Sequence, residues 1–314
     1  MLLLKKNKKL PNVILLTVPK TGSTSLYNAF KQHNDICVPL SKETWYFTHN
    51  SNKTIDWYID QFNHRKNEKI LCDFVSTQIY SSGFAKKLKE TLPNTKIILL
   101  LRDPIQRCIS HYLHEVRLGN EKRTLEDALF NEKKVLKENK DKYSNLAYRD
   151  IGSIYKQRAE ELLKVFPNKN VMIILLEELV NDQNLTLEKI WDFLEIPNQL
   201  IKLPNDNVAR LPKFNLIRNF FSLPKKLYFY VINYLNEKIM FPQFVKSKSR
   251  VFRNYLVYFL DKFEDMSYEK VEDFSVDKDV INNLQKFYNN KLVGLEKIIG
   301  KKLSSYWNWF DEKK

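Results

Sequence analysis

The sequence is poor in cysteine and glycine, and each shortage excludes a class of protein. Cys37, Cys72 and Cys108 are odd in number and show no Cys-x-x-Cys spacing, so they indicate neither a disulfide framework nor a zinc site. Six glycines and 11 prolines among 314 residues do not make the composition of a long flexible linker. We therefore expect reduced thiols in an ordered chain, with no bound metal.

Long apolar runs are also missing. The N-terminal run, Leu2 to Leu4, is too short for the core of a signal peptide. No later stretch reaches the roughly 20 apolar residues that span a bilayer without meeting a charge or a proline. We expect a cytoplasmic protein.

Positive charge, in contrast, is in excess. The chain has 52 Lys and Arg against 37 Asp and Glu, a formal net charge of +15. This balance favours an anionic partner: a nucleotide, a sulfated or phosphorylated glycan, an anionic membrane surface or nucleic acid. An inert basic surface fits the same balance.

Short apolar runs alternate with helical patterns along most of the chain. Strands are predicted at residues 13–18, 70–75, 96–101 and 171–176, and helices at 84–92, from Pro104 onward, and at 154–166, 185–194 and 280–299. This alternation predicts an α/β fold with a central parallel sheet flanked by helices. Residues 198–275 show no clear strand, and we assign them to a variable helical segment of a single domain, 1–314.

One loop of this pattern has the features of a phosphate site. Residues 15–26, LLTVPKTGSTSL, lead from a buried strand through a polar turn into a helix. The first N–H groups of a helix lack internal partners and bind anions readily. Gly22 lets the backbone approach the anion, the following hydroxyls donate, and Lys20 adds a mobile charge. The loop is not a Walker A motif, and a capped helix after a buried strand is the alternative.

A second candidate anion site follows the strand at 96–101. Arg102 stands at the strand end, and Ser110 lies eight residues later on the following helix. An arginine can hold a phosphate with two parallel hydrogen bonds, and a serine can donate to the same group. The alternative is a surface pair of Arg102 with Asp103 and a serine that faces solvent.

Together the two segments resemble the family of sulfotransferases that depend on 3′-phosphoadenosine 5′-phosphosulfate (PAPS). PKTGSTSL, residues 19–26, resembles the loop for the 5′-phosphosulfate, and RDPIQRCISHY, residues 102–112, resembles the segment for the 3′-phosphate. SKETWYF, residues 41–47, is similar to the Lys-Glu-x-x-Phe-Phe segment of the glycan-modifying branch. The resemblance covers most of the chain except about 198–275.

The resemblance implies a P-loop-like three-layer fold and a role for each matching residue. The family moves a sulfuryl group from PAPS to an acceptor by in-line displacement, leaving PAP, with no metal. Lys20 would stabilise the leaving group and Glu43 would be the general base. The residues implied for PAPS binding are Lys20, Thr21, Gly22, Ser23, Thr24, Ser25, Arg102 and Ser110.

The acceptor side departs from the family pattern. A Lys-Ser/Thr-Pro run is expected at the second predicted strand, but residues 73–77 read DFVST. Asp73 is therefore a candidate for acceptor contact or for the base, and Lys42, Arg210 and Lys213 are further candidates for acceptor binding. The resemblance implies a carbohydrate or glycolipid hydroxyl or amine as acceptor.

The aromatic and basic segment 220–244 allows three interpretations. It can pack against the sheet, it can form a lid over the acceptor, or it can meet the inner face of a membrane from the cytoplasmic side. Oligomeric state is not encoded in any pattern that we recognise.

Two other functions remain open at the level of sequence. A P-loop kinase or NTPase would use residues 171–178 as a strand that ends in acids, but it needs a Gly-Lys-Ser/Thr loop. A non-catalytic binder of nucleic acid or anionic lipid would explain the net charge, but the chain shows no nucleic-acid-binding motif, and we expect no nucleic-acid partner.

Overall fold

The computed structural model describes residues 9–76, 83–133, 146–203, 210–212, 268–270 and 275–311. The chain divides into two compact units. The first comprises Met1–Glu115, Glu121–Asn207 and Val276–Lys314, and the second comprises Val116–Asn120 and Val208–Ser275. The single domain over residues 1–314 stays a prediction.

A five-stranded parallel sheet forms the centre of the first unit. Its strands are β1 (Val13–Leu16), β2 (Ile36–Cys37), β3 (Ile70–Val75), β4 (Lys96–Leu101) and β5 (Val171–Leu175). Their order across the sheet is β2-β3-β1-β4-β5, and all four pairings are parallel. The predicted parallel sheet of an α/β fold is confirmed.

Helices connect the strands and follow the last one. They are α1 (Ser23–Gln32), α2 (Ile55–Asp60), α3 (Phe84–Thr91), α4 (Pro104–Leu118), α5 (Leu125–Phe130), α6 (Arg149–Ser153), α7 (Tyr155–Val165), α8 (Leu176–Asn181), α9 (Gln183–Leu194), α10 (Lys278–Lys291) and α11 (Leu295–Ile299). None of the helices within the described ranges is long and apolar enough to cross a membrane.

Both faces of the sheet are buried, which is why its strands read as continuous apolar runs. On one face Phe30 of α1 packs with Phe74 of β3 and Trp191 of α9, with ring centroids 5.8 and 5.4 Å apart. The alternate residues, such as Ile14 and Leu99, are fully buried as well. The arrangement is the three-layer one expected.

The register of the sheet sets where the loops lie. Leu16 at the end of β1 pairs with Val75 on one side and with Leu99 on the other. The carboxyl ends of β1, β3 and β4 therefore meet at one edge, where ligands of open α/β sheets bind. The phosphate-like loop after β1 thus lies between the residues that follow β3 and β4.

Two elements differ from the sequence pattern for local reasons. The predicted helix at 280–299 is two helices, α10 and α11, because Gly294 between them takes a left-handed φ of 83° that only glycine adopts freely. Strand β2 has only two residues, too few for an alternation to reveal it.

The second unit is described only in part. A short antiparallel ribbon pairs β6 (Arg210–Pro212) with β7 (Tyr268–Lys270), so residues 198–275 contain two strands that the pattern does not show. Lys213 and the segment 220–244 lie outside the described residues. The helical character of 198–275 and its membrane contact stay predictions.

We predict that Gly152→Ala destabilises the first unit, although alanine normally favours a helix. A Cβ at Gly152 in α6 would lie 2.7 Å from Pro104 Cβ and 2.9 Å from Tyr288 Cε1. Overpacking of this kind lowers the free energy of unfolding by about 1–3 kcal/mol. The higher helix propensity of alanine raises it by only ~1 kcal/mol. Thermal unfolding should show a lower melting temperature. Gln157→Ala, an exposed change in α7, is the control, and an unchanged or higher melting temperature for Gly152→Ala would contradict the packing.

Candidate functional site

The loop between β1 and α1 is held in shape from inside the protein. Lys20 and Gly22 both take left-handed backbone conformations, with φ of 72° and 89°. The buried hydroxyl of Thr21 donates to Val18 O at 2.9 Å and contacts Thr17 Oγ1. Thr21 therefore fixes the turn and does not face a ligand through its hydroxyl. The binding role that the resemblance implies for Thr21 stays a prediction.

Gly22 has a second reason to be glycine besides its φ. A Cβ there would lie 2.5 Å from Leu176 Cδ1, because Leu176 begins α8 directly after β5. Ser23, Thr24 and Ser25 follow Gly22 and form the first turn of α1. Ser25 N donates to Gly22 O at 3.0 Å, and the amides of Ser23 and Thr24 precede this first backbone hydrogen bond of the helix. No acidic residue occupies that turn, so its positive end is available to an anion.

Arg102 joins the second anion motif to the first. Its Nη1 donates to Lys20 O at 2.9 Å, across 82 residues of sequence. Burial lowers the pKa of Arg102, and the neighbouring Glu177 opposes this effect. The guanidinium therefore lies beside the loop that precedes α1, and the two motifs form one site.

Helix α4 reinforces this junction. Arg107 Nη1 lies 3.5 Å from Pro19 O, and another nitrogen of the same guanidinium donates to Tyr148 O. Ser110 lies three residues beyond Arg107, on the same side of α4, and is half-buried. The role of Ser110 in binding the 3′-phosphate stays a prediction.

The alternative interpretation of Arg102, a surface pair with Asp103, does not fit the structure. Asp103 is buried and caps α4, because its Oδ1 accepts from Ile105 N and Gln106 N at 2.8 and 3.1 Å. Its Oδ2 accepts from Trp309 Nε1 at 2.8 Å. An aspartate before a helix-initiating proline is a recognised capping pattern, so the cap could be predicted from the sequence. The contact with Trp309, 206 residues away, could not.

Glu43 lines a small pocket at the same edge of the sheet. Ser76, directly after β3, donates to Glu43 Oε2 at 2.6 Å. Burial raises the pKa of Glu43, while the hydrogen bond from Ser76 and the charge of Lys42 oppose this rise. Besides Glu43 and Ser76, the residues that line this pocket are Trp45, Tyr46, Phe47, Thr48, Phe74 and Val75.

Lys42 reaches away from this pocket toward α1. Its Nζ donates to Ser23 Oγ and Thr24 Oγ1, each at 3.1 Å. Burial lowers the pKa of Lys42, and Glu43 opposes the effect. The sequence suggests an acceptor-side role, whereas the structure places the ammonium at the start of α1.

Asp73 does not reach the site surface. It is fully buried, and its carboxylate accepts from Thr44 N, Thr44 Oγ1 and Tyr58 OH at 3.2, 2.6 and 2.9 Å. Burial raises the pKa of Asp73 to about 7, against the effect of these hydrogen bonds. The expectation that Asp73 contacts the acceptor or acts as base is therefore wrong for this conformation. Asp73 instead ties Thr44, the neighbour of Glu43, to β3.

The remaining site candidates are placed only in part. Arg210 lies in β6, but its side chain is outside the described residues, as is all of Lys213. Among the residues that the structure describes, no group of three or more His, Cys, Asp and Glu side chains could hold a metal ion.

Comparisons with known proteins agree on one family. Residues 10–275 match the family model of the sulfotransferase domain. The chain is 36% identical over 106 residues to the membrane-associated sulfotransferase kil1 of Dictyostelium discoideum, covering 33% of this chain and 22% of that protein. It is 24% identical over 192 residues to human heparan sulfate glucosamine 3-O-sulfotransferase 3B1, covering 60% of this chain and 47% of that protein.

The fold has a solved counterpart. A sulfotransferase from Alicyclobacillus acidocaldarius superposes with a TM-score of 0.67 at 19% identity, covering 95% of this chain and 99% of that one. The matches to the two curated relatives span less than half of either relative's length. The paired anion loops, the sheet that brings them together and the match over residues 10–275 establish that this chain belongs to the sulfotransferase domain family.

Proposed function

We propose that this chain moves a sulfuryl group from PAPS to a hydroxyl or amine of a carbohydrate or glycolipid acceptor. One observation carries the proposal: the hydrogen bond from Arg102 to the carbonyl of Lys20 brings the two predicted anion-binding motifs together. A donor with phosphate groups at both ends of an adenosine needs such a pair. A kinase or NTPase would need a Gly-Lys-Ser/Thr loop, which residues 17–25 do not provide.

The residues of the site fit the two ends of PAPS. The first turn of α1, with Lys20 and the hydroxyls of Ser23 and Thr24, suits the 5′-phosphosulfate. Arg102 and Ser110, on the other side of the loop, suit the 3′-phosphate. Gly22 leaves room for close approach of the backbone. Thr21 and Ser25 support the loop and the first turn.

Glu43 and Lys20 are the groups that we assign to the chemistry. Glu43 takes the proton of the acceptor hydroxyl as the acceptor oxygen bonds to sulfur. The bond from sulfur to the phosphate oxygen breaks, and its electron pair stays on that oxygen. Lys20 and the amides of α1 stabilise this charge. The raised pKa of Glu43 makes it a better proton acceptor than an exposed carboxylate.

The pocket beside Glu43 favours a ring-shaped acceptor. Trp45, Tyr46 and Phe47 line it. Phe47 is buried and Tyr46 stacks on Tyr58, so the exposed Trp45 is the aromatic side chain that an acceptor ring can pack against. The name of the human relative gives it a glucosamine of heparan sulfate as acceptor, which supports a carbohydrate for this chain. The name of the Dictyostelium relative describes membrane association. By analogy, we propose that this chain is a cytoplasmic enzyme whose segment 220–244 contacts the membrane surface.

We predict that Arg102→Ala weakens PAP binding by about 10- to 100-fold, the worth of a charge-assisted hydrogen bond. Isothermal titration calorimetry of PAP without Mg²⁺ measures the effect. Lys87→Ala, an exposed change in α3, should leave the affinity unchanged. If ATP with Mg²⁺ raised the melting temperature of the unmodified protein and PAP did not, PAPS would be ruled out as the donor and a kinase or NTPase would be favoured.

Glu43→Gln should separate binding from chemistry. The amide keeps the shape of the side chain but cannot take a proton, so we expect a transfer rate at least about 100-fold lower. PAP affinity should stay within about threefold. A radiolabelled sulfate transfer assay measures the rate, with Glu90→Gln on the exposed face of α3 as control. Unimpaired turnover by Glu43→Gln would refute the base assignment.

The pH dependence of transfer provides a third test. A base works when deprotonated, so activity should fall as the pH drops through the pKa of Glu43, which burial places above its ordinary value. Ser76→Ala removes the 2.6 Å hydrogen bond that favours the carboxylate, while the charge of Lys42 and the backbone N–H of Ser76 still favour it. In the pH profile of kcat/KM, the acid limb should therefore move to higher pH. The expected shift is about half a pH unit to one pH unit for a hydrogen bond of ~1 kcal/mol. An acid limb that stays in place or moves to lower pH would contradict the role of Ser76.

A further inference from the structure

Lys42 is held in an unusual position by its own turn. Its φ of 67° is left-handed, a conformation that lysine rarely adopts. The turn is fixed on both sides, because Lys42 N donates to Pro39 O at 3.0 Å and Ser41 Oγ donates to Glu43 O at 2.8 Å. The result is that two adjacent residues point to different parts of one site: Glu43 to its pocket and Lys42 to α1.

The surroundings of the Lys42 ammonium are unfavourable for a cation. Its partners are the neutral hydroxyls of Ser23 and Thr24, and no carboxylate of the described residues forms an ion pair with it. It lies at the first turn of α1, the positive end of the helix dipole, which destabilises a cation. The left-handed backbone adds a conformational cost.

A bound anion offsets the electrostatic part of this cost. An ammonium has three donors, and the two hydroxyls accept two of them, so the third is available to an anion at the start of α1. Such an anion meets the helix amides and the ammonium together. The nearby β3 edge, where the family resemblance leads us to expect a helper lysine, has Val75 and Ser76 instead. Besides Lys20 and Arg102, the structure brings Lys42 to this place.

We infer that Lys42 is a catalytic residue that binds the oxygens of the sulfuryl group during transfer and does not bind the acceptor. This role rests on the proposed function. As the acceptor oxygen bonds to sulfur and the phosphate oxygen leaves with its electron pair, the negative charge on the sulfuryl oxygens lies against Lys42. The acceptor proton goes to Glu43, one residue away in the chain. No further reactant is needed.

The test compares Lys42→Met with Lys42→Arg and with the exposed control Lys53→Met. PAP lacks the sulfuryl group, whereas the transfer reaction includes it. We expect Lys42→Met to lower kcat by about 100- to 1,000-fold, as the loss of one preorganised donor does, and to change the Kd for PAP by less than about threefold. Lys42→Arg, which keeps the charge, should recover part of the rate, and Lys53→Met should match the unmodified enzyme.

Three results would overturn the inference. One is a kcat of Lys42→Met within about threefold of the Lys53→Met control. Another is a loss of PAP affinity as large as the loss of kcat. The third is a markedly lower melting temperature, which would make Lys42 a structural link between its turn and α1. Failure of the proposed function itself looks different: the unmodified protein would then neither bind PAP nor transfer sulfate.

Discussion

The hydrogen bond between the guanidinium of Arg102 and the carbonyl of Lys20 is the contact on which the site depends. It spans 2.9 Å and joins segments 82 residues apart. The contact is possible because β1 and β4 are neighbours in a parallel sheet, with Leu16 paired to Leu99. Without that pairing, the start of α1 and the guanidinium of Arg102 would not lie next to each other. With it, the guanidinium of Arg102 lies against the loop that precedes α1, at the carboxyl edge of the sheet.

A second set of contacts places the acceptor side against this space. Asp73 is an acid inside an apolar strand, and it is tolerated because Thr44 and Tyr58 satisfy its oxygens. The same hydrogen bonds hold the segment that carries Lys42 and Glu43 close to β3. Ser76 then orients Glu43 from the end of that strand. The buried acid therefore acts on the chemistry through position and not through contact with a substrate.

Much of the fold could be predicted from the sequence, because buried parallel strands leave continuous apolar runs. The strand-loop-helix at 15–26 and the arginine after β4 could be found in the same way. The order of the strands could not, since apolar runs carry no information about which strand pairs with which. The role of Asp73 depends on Thr44 and Tyr58, 29 and 15 residues away, and no local pattern connects them. Lys42 looks like a surface lysine beside an acid until its turn directs it to α1.

The central claim is that one nucleotide bridges the two anion motifs. A crystal structure of the protein with PAP tests it most directly. We expect the 5′-phosphate of PAP to lie at the first turn of α1 and its 3′-phosphate to contact Arg102 and Ser110. A structure in which the 3′-phosphate lies away from Arg102, or in which PAP binds elsewhere on the protein, would contradict it.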